Sequence, residues 1–247
     1  MLKFHVNGSS PIDAPNQDVA TVDFRVFAQT TDRDLLRMEN PYGLFRLCMV
    51  TFLEGVPGAS LGNDMRQAEG KPYWEYWVAL LPQSEIKHRV HLLYGKGESF
   101  DMPAPTVTQV YDRQQPSYET SSPVPLDSFG ETVLAPLGYI VLGRGGDKAS
   151  DCNNGFFVRH DDEYPWLCSL LTIEKIKELL GPEEYKGKKI DRFEIPGLRA
   201  VHFLLRDHLD RGYNACSTYD TLGKNCMEYL RAKRVQIPKR FLERGRV

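Results

Sequence analysis

Residues 100–136 carry six prolines in a stretch with little periodicity. Proline fixes φ and removes a backbone donor, so this segment is read as extended and irregular. It rules out one uninterrupted helical or strand pattern through the chain and divides it into two halves. Its valines, tyrosines and phenylalanines argue against a free linker, so it is expected to lie along the surface of one or both halves.

In the first half, "ATVDFRVFAQT" alternates like a strand, with Val22, Phe24 and Val26 on one face. "DRDLLRMENPYGLFRLCMVTFLEG" reads as a helix broken near Asn40–Pro41. "PYWEYWVALLP" and "IKHRVHLLYG" read as two paired strands with a turn at Gln83 and Ser84. In the second half, "LGYIVLG" and "GFFVRH" are short strands. "EYPWLCSLLTIEKIKELLG" holds one or two helices, with Thr172 as N-cap, Gly181 as stop, and Ile173, Ile176, Leu179 and Leu180 on one face. "IDRFEIPG" is a strand ending at proline. "LRAVHFLLRDHLD" fits a helix through Val201, Leu204, Leu205 and His208, although it also reads as a buried strand. "NACSTYD" reads as a strand and "TLGKNCMEYLRAKR" as a final helix. The order implies an α+β fold of two small α/β sandwich units: residues 1–100, a bridge over 101–136, and residues 137–247.

Of the 247 residues, 41% are hydrophobic and 26% charged, with a formal net charge of −2. No long basic run is present, which speaks against nucleic acid as a partner. The basic C-terminal "RAKRVQIPKRFLERGR" is interleaved with apolar residues and reads as the solvated side of a helix and tail. No stretch approaches the ~18 apolar residues of a membrane span, so no membrane partner is expected. Cys48, Cys152, Cys168, Cys216 and Cys226 form no C-x-x-C pair, and neither H-x-x-x-H nor H-E-x-x-H occurs. The expectation is a soluble protein of a reducing cytoplasm, with no metal site.

The candidate chemistry falls in two polar clusters. "GRGGDKASDCNN" (143–154) reads as a loop. Gly145 and Gly146 would let backbone N–H groups approach an anion, and Arg144 and Lys148 would add positive charge. Asp147 or Asp151 could act as a base if burial raised its pKa; the rival reading pairs Asp147 with Arg144 or Lys148 as a structural ion pair. Cys152 could be a thiolate nucleophile, although no nucleophile motif surrounds it. The second cluster, residues 202–220, supplies His202, Arg206, His208, Asp210, Arg211, Ser217 and Tyr219. His202, among apolar residues, reads as a core histidine, His208 with Asp210 as an acid–base pair, and Arg206 with Asp210 as an i,i+4 ion pair.

"LGRGGDKASDCNNGFFVRH" resembles the R-S-G-D-K-G-x-D-x-N-[IV]-G-[FV] signature of the acyclic terpene utilisation (AtuA-like) family. "IDRFEIPGLRAVHFLLRDHLDRG", "STYDTLGKN" and "IPKRFLERGRV" continue the match. The first 130 residues, with "KPYWEYWVALLP" and "QPSYET", resemble the end of the large domain that precedes it in longer members. The resemblance implies a ferredoxin-like C-terminal domain and a usual member much longer than this chain. This chain would then be a short relative, a truncated product, or one part of a two-piece system. The resemblance picks out Arg144, Gly146, Asp147, Lys148, Asp151, Asn153 and Gly155, then His202, His208, Asp210, Gly212, Ser217, Gly223 and Lys224. Gly145 stands where the signature has serine, and Asn154 where it has an aliphatic residue.

The functional expectation is a cofactor-independent enzyme on a small carbonyl-containing terpenoid or polyketide-like substrate, free or as an acyl thioester. The reaction would be an isomerisation, hydration–dehydration or cyclisation. Asp147 is the base, His208 the acid oriented by Asp210, and Lys148 an electrostatic catalyst. Arg144, Gly145, Gly146, Asp151, Asn153, His202, Arg211, Ser217 and Tyr219 bind substrate. Tyr73, Trp74, Tyr76 and Trp77 could wall an apolar pocket. The alternative is a non-catalytic module on a partner subunit, and a homodimer fits either.

Overall fold

The computed structural model describes all residues except 10, 56, 57, 62–64 and 113. Contacts divide the chain into two compact units, Met1–Trp74 and Glu75–Val247.

In the first unit, β1 (Leu2–Asn7) is followed by the one-turn α1 (Gln17–Ala20) and by β2 (Asp23–Ala28), which pairs antiparallel with β1. Phe24 is exposed and stacks on Phe4 across the pair, with centroids 6.1 Å apart. α2 (Leu44–Gly55) starts only after Pro41. The helix expected from Asp32 is reduced there to a 3-10 turn, Arg33–Leu36. Asn40 holds this connection, donating to Asp34 O and accepting from Tyr42 N.

In the second unit, β3 (His88–His91) pairs antiparallel with β4 (Ser99–Met102). The strand expected at residues 72–82 does not form, and β3 pairs forward instead. β5 (Thr132–Pro136) and β10 (Arg234–Pro238) make a two-stranded sheet that buries Val235 and Ile237. The basic C-terminal stretch is therefore partly strand, because Val235 and Ile237 alternate with exposed Arg234 and Gln236. Only Lys239–Leu242 beyond it is helical, as α6.

The main sheet has the order β6–β7–β9–β8, antiparallel throughout: β6 (Leu142–Lys148), β7 (Asp151–Phe157), β8 (Ile190–Ile195) and β9 (Ala200–Leu205). α3 (Tyr164–Leu170) and α4 (Ile173–Glu184) connect β7 to β8, and α5 (Lys224–Ala232) follows β9. β7 and β8 run parallel with β9 between them, the split β-α-β arrangement of a ferredoxin-like fold. Here the hairpin β6–β7 comes first in the chain.

Residues 143–154 are thus not a loop but most of a β-hairpin, turning at Ala149 with φ 57°. The segment at 200–205 is a strand rather than a helix. A period of two places Val201, Phe203 and Leu205 in the core, and a helical period would scatter them. The strand expected at 214–220 is a run of turns. Thr172 does cap α4, accepting from Lys175 N, and Gly181 breaks it with φ 77°.

One face of the main sheet, carrying Cys152, Phe156, Val201, Phe203 and Leu205, is buried in the core with Trp166, Leu167, Ile176, Leu180, Met227 and Leu230 from the helices. α5 can lie close on the edge strand because that strand is glycine there. A Cβ on Gly143 would overlap Met227 Sδ, and one on Gly145 would meet Gly223 O at 2.6 Å.

The late part of the proline-rich segment lies along the outer edge of β8. Ser117 Oγ accepts from Arg192 N, and Tyr118 N donates to Arg192 O. The Arg192 side chain is fully buried. It donates to Leu171 O at 2.8 Å, Tyr118 O at 3.0 Å and Cys168 O at 3.0 Å, and pairs with Glu119 and Glu194. Removing it would leave three main-chain acceptors and two carboxylates without their donor. Arg192→Ala is therefore expected to destabilise the second unit by about 3–5 kcal/mol in urea unfolding. A loss below about 1 kcal/mol, the range of an exposed pair, would refute this role.

Candidate functional site

The opposite face of the main sheet is not covered by the helices, and its register can be followed strand by strand. One row across β6, β7, β9 and β8 reads Arg144, Gly155, His202, Phe193; the next reads Gly146, Asn153, Leu204, Asp191. On the other side, Leu142, Phe157, Ala200 and Ile195 form an apolar row. Glycine at 155 leaves no side chain between Arg144 and His202, whose backbones are two strand spacings, roughly 10 Å, apart.

A cavity of about 390 Å³ occupies this gap. Arg144, Gly146, Lys148, Asn153, His202 and Lys224 form its polar wall, and Phe157, Ile195, Leu198 and Ala200 its apolar wall. Asn153 Nδ2 donates to Gly146 O at 2.7 Å, and Lys224 Nζ donates to Gly145 O at 2.9 Å. Among the described residues, neither Arg144 nor Lys148 has a side-chain hydrogen bond or ion pair. Burial, aided by the Lys148 charge, holds His202 below the ordinary imidazole range, so the ring is neutral at pH 7. A neutral imidazole therefore faces an uncompensated guanidinium across an open gap.

Arg144, Gly145, Gly146, Asp147, Lys148, Asn153 and His202 all line this cavity. Asp147 has the register of Gly145 and Cys152, on the side the helices cover, and also lines the cavity. Among the described residues its carboxylate forms no ion pair with Arg144 or Lys148. The remaining candidates do not line the cavity. Asp151 accepts from Arg206 at 2.8 Å and from Asp207 N at 2.9 Å. His208 is buried, with its Nε2 3.2 Å from Glu184 Oε1. The hydrogen bond from His208 lowers the Glu184 pKa. Asp210 accepts from Ser217 Oγ at 2.9 Å, and Arg211 pairs with Glu75 and donates to Ala215 O. Tyr219 is half exposed. Arg206 pairs with Asp151 and Asp191 rather than with Asp210. Cys152 is fully buried and not a nucleophile in an open loop; its hydrogen bond with Cys226, together with burial, pushes the Cys226 thiol far up.

The aromatic wall expected from "YWEYW" is absent from this cavity; Trp74 and Trp77 are each about four-fifths exposed. Sequence reasoning missed Phe157, Ile195, Leu198 and Phe193. The signal was the alternation within 151–157, which separates Cys152, Asn154 and Phe156 from Asn153, Gly155 and Phe157.

Two family models match the chain: the acyclic terpene utilisation family protein AtuA over residues 1–92, and the AtuA ferredoxin-like domain over residues 135–236. The chain belongs to the AtuA family. The second match spans the whole main sheet and so contains the cavity. No curated protein and no solved structure matches significantly. Among the described residues no helix is long and apolar enough to cross a membrane.

Two of the departures from the AtuA-like signature, at residues 145 and 154, meet in space. A Cβ on Gly145 would lie 3.0 Å from Asn154 Oδ1, besides its clash with Gly223 O. Gly145→Ser is expected to cost about 1–3 kcal/mol by overpacking. Adding Asn154→Val should return part of that loss, and strictly additive effects in a double-mutant cycle would refute the coupling.

His202 also links the cavity to stability. Its folded pKa lies below its unfolded value near 6.5, so the unfolded chain takes up the proton first. The His202 contribution is therefore complete above that value and declines as pH falls through it towards the folded pKa. His202→Gln should flatten the fall in melting temperature between pH 7.5 and 5.5. An equally steep fall in the variant would contradict this.

Proposed function

We propose that this chain is a cofactor-independent acid–base enzyme acting on a small carbonyl compound of terpenoid or polyketide type, at the open face of the main sheet. The observation that carries the reading is the row Arg144–Gly155–His202, where a neutral base and a free cation flank a side-chain-free gap.

The base role of Asp147 and the acid role of His208 both move to His202 in this reading. Asp147 has the register of the covered face, and His208 is engaged by Glu184. The neutral imidazole removes a proton from the carbon next to the carbonyl. The C–H electron pair becomes the new C=C bond, and the carbonyl π pair moves to oxygen. Arg144 and Lys148 stabilise that enolate oxygen in a site partly shielded from water. The imidazolium then returns its proton to a different carbon, giving isomerisation, or to a departing hydroxyl, giving dehydration. The apolar row of Phe157, Ala200 and Ile195 receives the hydrocarbon part of the substrate.

Proton–deuterium exchange of β-keto acids and branched enoic acids in D₂O, followed by NMR, tests this. His202→Gln is expected to slow exchange by about 10²–10⁴-fold, the usual contribution of a positioned acid–base group. Wild-type exchange should fall as pH drops through the lowered His202 pKa. Gly155→Val should abolish exchange while leaving the fold intact, since a Cβ at 155 meets only ordinary contacts, 3.6 Å to His202 Cδ2. Exchange that persists in both variants would overturn the reading.

A second reading rests on a different observation. Trp77, Leu80, Leu93, Val107 and Val110 are each more than four-fifths exposed. Apolar exposure of this kind favours a module docking on a second copy or a partner subunit. Light scattering that finds a monomer across micromolar concentrations would remove the homodimer form of it.

A further inference from the structure

The cavity at Gly155 continues past His202. A second cavity of about 380 Å³ is lined by Gln115, Pro116, Tyr118, Phe193, Glu194, Ile195 and His202. His202 and Ile195 belong to both walls, so the two cavities form one groove across the main sheet. From β6 to β8 it spans three strand spacings, roughly 14 Å.

The chemistry of the floor changes along that length. At the β6 end are the cations Arg144, Lys148 and Lys224, with Asp147 as the one carboxylate in the lining there. At the β8 end the floor is aromatic. The Phe193 and His202 rings lie side by side on one row, with centroids 6.3 Å apart and planes 35° from each other. Tyr118 stands edge-on to Phe193, with centroids 6.5 Å apart and an interplanar angle of 82°. Its hydroxyl donates to Glu194 O and accepts from Glu194 N, which fixes the ring as a wall. Two adjoining rings with a third edge-on match the offset and edge-to-face contacts that π systems prefer.

We infer that this groove takes an anionic ligand with a planar, conjugated body, its charged group at Arg144 and Lys148 and its ring system over His202 and Phe193. The inference deepens the functional reading above by naming the ligand class for the same site. A planar anion can come from an aromatic acid or from a nucleotide. Both share the required flat π surface and negative charge.

The test is direct binding to the full chain. The probes are 2-naphthoate, adenosine 5′-monophosphate, the saturated decalin-2-carboxylate and the neutral 2-naphthalenemethanol. One planar anion or the other is expected to bind about tenfold or more tightly than decalin-2-carboxylate, as stacking on aromatic side chains does. Which of the two binds better identifies the source. Protons of the bound planar probe should shift upfield from the Phe193 ring current. Phe193→Leu, which keeps an apolar side chain of similar length, should erase the preference without weakening the saturated acid. Arg144→Gln should weaken both acids and leave the neutral alcohol unchanged. A saturated acid that binds as tightly as the planar ones, or no upfield shift in the wild type, would overturn the inference. Binding is read without turnover, so absent proton exchange would count against the reaction and not against the ligand class.

Discussion

Three main-chain carbonyls from two separate stretches of chain converge on one buried guanidinium, that of Arg192. A charge taken out of water is tolerable only when it is met, and here three carbonyls accept from the guanidinium while Glu119 and Glu194 pair with its charge. Cys168 and Leu171 belong to the α3–α4 connection and Tyr118 to the proline-rich strap. The same side chain therefore joins the helical layer, β8 and the strap. Main-chain bonds of Arg192 and Glu194 to Ser117 and Tyr118 hold the strap along β8 beside that junction.

The glycines of β6 and β7 do two jobs on the two faces of one sheet. On the covered face, Gly143 and Gly145 admit α5, whose Met227 and Gly223 occupy the space a Cβ would need. On the open face, Gly146 and Gly155 lower the floor between Arg144, Lys148 and His202. Period-two alternation sorts the jobs: odd positions of β6 serve packing and even positions serve the groove. Asn154, on the covered face, is fully buried and its Oδ1 has no hydrogen-bond partner among the described residues. Its amide instead contacts the Cys152 and Cys226 sulfurs at 3.5 and 3.6 Å. The polar cost of the cluster is thus carried behind the groove and not in it.

Electrostatics give the groove a direction. Several acidic side chains near it are already committed, Asp151 and Asp191 to Arg206 and Glu194 to Arg192, while Asp147 lines the β6 end without an ion pair among the described residues. The cations at the β6 edge have no such partners among the described residues, Lys224 having only the Gly145 carbonyl. Desolvation and the Lys148 charge both act on His202 in the same sense and keep it uncharged. A base and an anion-stabilising edge therefore coexist in one depression without neutralising each other.

Local patterns in the sequence were enough for α3, α4 and α5, for the cap and stop of α4 at Thr172 and Gly181, and for the membership that its signature carries. They also marked Arg144 and Lys148 as the cations of a glycine-rich polar stretch, whereas His202, read from spacing as a core histidine, was picked out by the resemblance. The sequence did not reveal that "GRGGDKASDCNN" is a hairpin. Glycine and aspartate have low strand propensity, and only pairing with β9 and the close fit of α5 overcome it. Nor could it separate His202 from His208, since their difference lies in neighbours distant in the chain: Phe193, Gly155 and Lys148 for one, Glu184 for the other. Face, partner and burial depend on contacts across tens of residues, and tertiary structure alone decides them.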